Sequence, residues 1–191
     1  MKKHIYIYSP SGAVRDKAAF KRGVARLRAQ GHDVEIDPDA LISYQRFAGD
    51  DATRLAAIHR AVASGADVAL ISRGGYGLTR ILADIQYKKV ARAIEKGTQF
   101  VGISDFTAFQ SAVLATTGAI TWAGPALCEG FGVGGTPAEL AKRELKVAAP
   151  DEIMQACFDD MLLGQGEGSG WRQHRERKEN AIDTVATSSL K

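Results

Sequence analysis

Ser104 stands in the run Val101-Gly102-Ile103-Ser104-Asp105-Phe106, where an apolar stretch, 99–103, meets a helical pattern. A serine at a sharp strand-to-helix turn can present its hydroxyl above a sheet, and the first amides of the helix behind it can stabilise an oxyanion. That is the chemistry of a serine hydrolase. The same letters also have a plainer reading. Ser and Asp are preferred at helix N-termini, and Asp105 suits the positive end of a helix dipole.

A second stretch favours the chemical reading. Arg73-Gly74-Gly75-Tyr76-Gly77 follows another apolar run and places three glycines in four positions. Such a loop accepts φ > 0 and exposes bare amides that form an anion nest. A simple turn rarely needs an Arg, a Tyr and three Gly together. Gly130-x-Gly132-x-x-Gly135 matches a dinucleotide fingerprint by letter, but no clear strand precedes it and Pro137 follows closely. A loop is expected there, and no Walker A motif is present. His4 and His32 adjoin strand starts, and His59 lies in a helical pattern beside Arg60, where a surface position is expected. None offers an obvious general base. Cys128 and Cys157 form no CxxC pair and no metal cluster with the four histidines, and read as buried thiols in a reducing compartment.

These residues need elements to position them. The apolar run 4–8 reads as a strand halted by Pro10 and Gly12. Residues 15–30 read as a helix with Phe20, Val24 and Leu27 inward and Gly31 as its stop. A short strand, 33–36, is followed by a helix capped by Asp50 or Asp51, with Leu55, Ile58 and Val62 inward and Gly65 as its end. Strands are expected at 67–72, 99–103 and 119–122. Helices are expected over most of 78–96 and over 106–116, with Phe106, Phe109 and Val113 inward. Alternation of this kind predicts an α/β fold, an open doubly wound, mostly parallel sheet of the flavodoxin or Rossmann sort. In such sheets ligands bind beyond the carboxyl ends of the strands, where loops 9–12, 73–77 and 102–105 fall. Residues 1–165 then form one domain, with a short helix at 137–146. Residues 166–191 carry a basic charge run without apolar periodicity and are expected to be a disordered tail.

The 191 residues are enough for one core, and 45% apolar with 25% charged content is ordinary for a globular chain. The net charge of +3 is too small to imply nucleic-acid binding. The N-terminal apolar run is too short for a signal-peptide core, and no stretch reaches transmembrane length, so no membrane partner and a cytoplasmic location are expected.

Taken in order, several segments resemble a known family. They are Ser9-Pro10-Ser11-Gly12, Phe47-Ala48-Gly49-Asp50 with Arg54 and Leu55, Arg73-Gly74-Gly75-Tyr76-Gly77 with Arg80, Gly102-Ile103-Ser104-Asp105-Phe106-Thr107-Ala108, and Thr121-Trp122-Ala123-Gly124-Pro125. Together they look like the N-terminal domain of the LD-carboxypeptidases, serine peptidases of the S66 type, over roughly residues 4–168. The resemblance implies removal of the terminal D-alanine from murein tetrapeptide in the cytoplasm, without metal or cofactor. It implies Ser104 as nucleophile and the backbone N–H groups of Gly75 and Asp105 as the oxyanion hole. Arg73 and Tyr76 are candidate substrate contacts.

The family's triad takes a Glu and a His from a C-terminal domain, the Glu near a Trp-Gly-Gly-Asn segment that this sequence lacks. His174 and Glu176 have the right types but match no motif. The tail reads as a premature end, such as a shifted reading frame would give. The isolated chain is therefore expected to be nearly inactive, and its uncovered domain face invites self-association, with a homodimer as the simplest form. Three other readings are a non-catalytic module that binds a peptide carboxylate, a self-immunity peptidase of the same family, and a nucleotide-binding domain argued from fold alone.

Overall fold

The computed structural model describes residues 1–134 and 149–165. Its strands are β1 (His4–Tyr8), β2 (Asp33–Ile36), β3 (Val68–Ile71), β4 (Gln99–Gly102) and β5 (Trp122–Ala123). They pair in the order β2-β1-β3-β4-β5, and every pairing is parallel. Ile5 lies opposite Val68 and Val101 opposite Trp122. The strand order reverses between β1 and β3, the switch point at which open parallel sheets bind ligands.

Alternate side chains feed two cores. Tyr6, Tyr8, Ala69, Ile71 and Phe100 pack beneath α2 (Asp51–Ala63), α3 (Tyr87–Glu95) and α4 (Phe106–Thr117). Ile5, Ile7, Val68, Leu70 and Val101 pack beneath α1 (Lys17–Ala29) and α5 (Glu152–Leu162). The expected α/β doubly wound fold is therefore present. Phe106 and Phe109 stack at 4.8 Å, and Phe100 meets Phe109 at 5.8 Å, which seats α4 over β4.

Local chemistry sets the helix ends. Asp16 caps α1 through the Ala19 amide at 2.9 Å, and Asp50 caps α2 through the Thr53 amide at 2.7 Å. Gly118, at φ +73°, closes α4 as its position suggested.

Other expectations are corrected. The buried face of α2 is Arg54, Ala57, Ile58 and Ala61, so Leu55 and Val62 only flank the core. Only Tyr87–Glu95 of 78–96 is α-helical. Before it come two tight turns, closed by Arg80 N–H to Gly77 C=O (3.2 Å) and Asp84 N–H to Ile81 C=O (3.1 Å). The short strand at 119–122 shrinks to Trp122–Ala123. Residues 127–131 are a wide helical turn closed by Gly132 N–H to Leu127 C=O at 2.7 Å, which takes in the first two residues of the loop expected at 130–135. This turn lies so close to α1 that a Cβ on Gly23 would stand 2.9 Å from Leu127 Cγ. Helix α5 was not anticipated, although Asp151 caps it and Met154, Phe158, Met161 and Leu162 recur at helical spacing. The expected helix at 137–146 and the tail at 166–191 lie outside the described residues.

Candidate active site

The loops after β1, β3 and β4 meet at the switch point. Ser72 N–H donates to Tyr8 C=O at 2.7 Å, and the Ser9 and Ser72 hydroxyls share a hydrogen bond of 2.6 Å. Beyond them Gly12 N–H donates to Gly74 C=O at 3.1 Å. A Cβ on Gly75 would lie 2.8 Å from Gly12 Cα, and Gly75 itself has φ +126°. The glycines thus let two backbones touch.

Ser104 stands on the turn between β4 and α4 with φ +66°, a conformation that L-residues rarely hold. It is exposed, and so is Ile103 beside it. A Cβ on Gly74 would fall 2.6 Å from Ser104 Cβ and 2.9 Å from its Oγ. The serine therefore rests directly on the bare Gly74 backbone. The capping alternative does not describe this site. Neither Ser104 nor Asp105 gives a side-chain cap to α4. Asp105 Oδ2 instead accepts hydrogen bonds from Ser11 Oγ at 2.9 Å and from Leu78 N–H at 3.0 Å. The Gly75 and Asp105 amides donate to no acceptor among the described residues.

Arg73 is half-buried. Its Nη1 donates to Ala13 C=O at 3.2 Å and its Nε faces Glu129 at 3.4 Å. Tyr76 is exposed, with the Arg46 guanidinium 5.9 Å from its ring centre. Arg46 and Glu129 were not singled out by sequence reasoning. Nothing local marks them, because their partners come from other loops. Arg54 did carry a local signal, a charge on the buried stripe of α2. It is fully buried, donates from Nη1 to Pro10 C=O at 3.3 Å, lies 4.9 Å from the Phe47 ring centre and pairs with Asp51. Arg80 grips the same Asp51 through both carboxylate oxygens, at 2.7 to 3.0 Å.

The described histidines lie away from Ser104. His4 and His32 sit at the amino ends of β1 and β2. His59 is half-buried, not a free surface group, and accepts from Gln86 N–H at 3.3 Å. Burial holds its imidazole below the ordinary value, and Lys89 adds to this. Cys128 and Cys157 are half-buried rather than buried as expected, and at Cys128 burial, with Glu129 nearby, pushes the thiol up to about 12. Among the described residues no His, Cys, Asp and Glu cluster could hold a metal, and no helix is long and apolar enough to cross a membrane. The arrangement sets the Ser104 hydroxyl against the Gly74 backbone. Among the described residues it supplies no base to the hydroxyl.

A profile of the LD-carboxypeptidase N-terminal domain, peptidase S66, matches residues 5–124. A Synechocystis sp. protein assigned as a carboxypeptidase is 32% identical over 122 residues, which cover 63% of this chain and 39% of that protein. The crystal structure of muramoyltetrapeptide carboxypeptidase from Oxalobacter formigenes matches with TM-score 0.67 and 30% identity, over 83% of this chain and 47% of that one. The microcin C7 self-immunity protein MccF, in its wild-type apo state, matches with TM-score 0.68 and 25% identity, over 83% and 44%. The chain thus spans less than half the length of these relatives.

Proposed function

The chain belongs to the S66 family through its LD-carboxypeptidase N-terminal domain, and we propose that it carries the nucleophile half of a serine carboxypeptidase that removes the terminal D-alanine of murein tetrapeptide in cytoplasmic wall recycling. The observation that carries this reading is the strained, exposed Ser104 seated against Gly74, beside the amides of Gly75 and Asp105. In the reaction Ser104 Oγ bonds to the scissile carbonyl carbon, and the carbonyl electrons move onto its oxygen, where the two amides receive them. The C–N bond then breaks, the departing D-alanine amine takes up the proton that Ser104 Oγ gave up, and water adds to the acyl carbon, leaving the free acid and returning a proton to Ser104. Tyr76 offers an exposed face to the peptide. Arg73, whose guanidinium is engaged in part by Ala13 C=O and Glu129, is the candidate contact for the terminal carboxylate.

An alkyl hydroxyl without a base is a poor nucleophile, and losing the nucleophile or the His of such a triad costs on the order of 10⁶ in turnover. The lack of a base beside Ser104 among the described residues favours a second reading, peptide-carboxylate binding without cleavage. The likeness to MccF keeps a peptide-nucleotide antibiotic as the alternative substrate.

Forming the tetrahedral boronate on Ser104 Oγ is an equilibrium whose released proton can pass to solvent, so it does not need the base. A peptide boronate with boron in place of the scissile carbonyl carbon should give a tetrahedral boron signal by NMR with the purified chain, and none with Ser104→Ala. Absence of an adduct in the unsubstituted chain overturns the nucleophile assignment. D-Alanine release from tetrapeptide should stay near background. Turnover that Ser104→Ala abolishes would show that the chain has its base.

A further inference from the structure

Among the described residues, Asp105 is the one acidic side chain that joins all three strand-end loops. Both of its hydrogen bonds end on the same oxygen, Oδ2. One comes from Ser11 Oγ in the loop after β1, the other from Leu78 N–H just beyond the glycine loop after β3. Ser11 is fully buried, and its carbonyl is held by Ala48 N–H at 3.0 Å, so it is a fixed donor. Its neighbour Gly12 donates to Gly74 C=O at 3.1 Å. The circuit therefore closes, from Asp105 to Ser11, along the chain to Gly12, across to Gly74, through Gly75 to Leu78, and back to Asp105. Gly75 lies between two anchors, one at Gly74 and one at Leu78. Gly75 and Gly77 both have positive φ, so without the anchors this stretch has wide backbone freedom.

A carboxylate here is an odd choice on electrostatic grounds. It sits one residue from the nucleophile, where a developing oxyanion would repel it, and it makes no ion pair among the described residues. It also declines the usual task of an acid at a helix start, since it does not cap α4. A carboxylate oxygen receiving two donors nevertheless makes hydrogen bonds stronger than neutral ones. We propose that the Asp105 side chain is a positioning residue, which locks the glycine loop so that the Gly75 amide converges with the Asp105 amide on one point above Ser104. This rests on the nucleophile reading above. Asp105 would then serve the oxyanion twice, through its own N–H directly and through its carboxylate by aiming Gly75.

The test compares Asp105→Ala, which removes the acceptor, with Asp105→Asn, whose side-chain oxygen can still accept two hydrogen bonds. In Asp105→Ala the Leu78 amide should exchange with solvent at least about tenfold faster, the Gly75 N–H signal should move in the two-dimensional NMR spectrum, and the peptide boronate should bind at least about tenfold more weakly, as loss of hydrogen bonds to a charged group implies. Asp105→Asn should restore most of each. A lower melting temperature with the Gly75 signal and boronate affinity unchanged would overturn the proposal, since that is how a merely structural residue behaves. If Asp105→Ala does not fold, Ser11→Ala opens the same circuit and should move the Gly75 signal in the same direction, and no movement counts against the idea. If the unsubstituted chain forms no adduct, the nucleophile reading fails, whereas the Leu78 and Gly75 amides still report on positioning.

Discussion

At the scale of single residues, the candidate site depends on side chains that are absent as much as on those present. Gly74 and Gly75 are adjacent, but they are glycines for different reasons. Gly74 has an ordinary φ, and its missing Cβ makes room for Ser104. Gly75 has φ +126° and also lies against Gly12. The two substitutions should therefore separate. Gly75→Ala should lower folding stability by about 1–3 kcal/mol through backbone strain. Gly74→Ala should unfold at a temperature nearer the unsubstituted chain's yet lose the boronate adduct, because its methyl displaces Ser104 Oγ. Thermal melts beside boron NMR check this, and equal loss of stability in both variants would sink the distinction. The glycines could be picked out from sequence. Which of them served conformation and which served proximity could not, because proximity involves a residue 30 positions away.

At the scale of elements, the helices and strands with strong periodicity came through. The apolar runs of β1, β3 and β4, the Asp50 cap of α2 and the glycine stops of α1 and α4 are local patterns, and local physics suffices to read them. Elements whose form depends on neighbours did not. Residues 78–86 look helical by periodicity, but Gly77 at φ +108° and the bond from Leu78 N–H to Asp105 hold this stretch as short turns. Helix α5 follows a weakly patterned region, and its apolar stripe acquires meaning only against α1 and the 127–131 turn. Phe158 there meets Phe131 edge-on at 5.1 Å and is buried. Phe158→Ala should cost about 3–5 kcal/mol, the range for truncating a buried aromatic ring. Urea unfolding followed by circular dichroism reads this, and a loss under about 1 kcal/mol would mean that α5 adds little to the core.

At the scale of the whole molecule, a buried polar network ties β1, the exit of β2 and α2 together. Asp37 has no exposed side-chain surface and accepts from Tyr6 OH at 2.7 Å and from Arg60 Nε and Nη2 at 2.7 and 2.9 Å, while Arg60 also reaches Asp39 at 2.7 Å. Burial alone would push the Asp37 carboxyl up, but the hydrogen bonds from Arg60, Tyr6 and the Asp39 amide, with the Arg60 charge, outweigh it and hold it below the ordinary value. A carboxyl held lower in the folded than in the unfolded chain adds stability that is fully present above the unfolded value near ~3.9 and is lost as pH falls through the folded one. Arg60→Ala should cost about 2–3 kcal/mol at pH 7, at the low end for a buried pair because Arg60 keeps a third of its surface in water. Without its cation the buried carboxyl rises, so the deficit should shrink on acidification. Urea unfolding between pH 7 and 3 tests this, and a pH-independent deficit would refute it.

The fold class, the five strands, the three loops at the carboxyl edge and the prominence of Ser104 were legible in the linear chain. Each of these follows from periodicity, glycine placement and turn chemistry within a short window, and the ordered set of motifs pointed to the family. Only the assembled loops set the capping role aside and so support the proposed nucleophile. They do so by giving Ser104 a positive φ and by engaging the Asp105 carboxylate elsewhere. The physical reason is separation along the chain. The two donors to Asp105 lie 94 and 27 residues away, and no local pattern encodes a hydrogen bond between loops that meet only once the sheet has assembled.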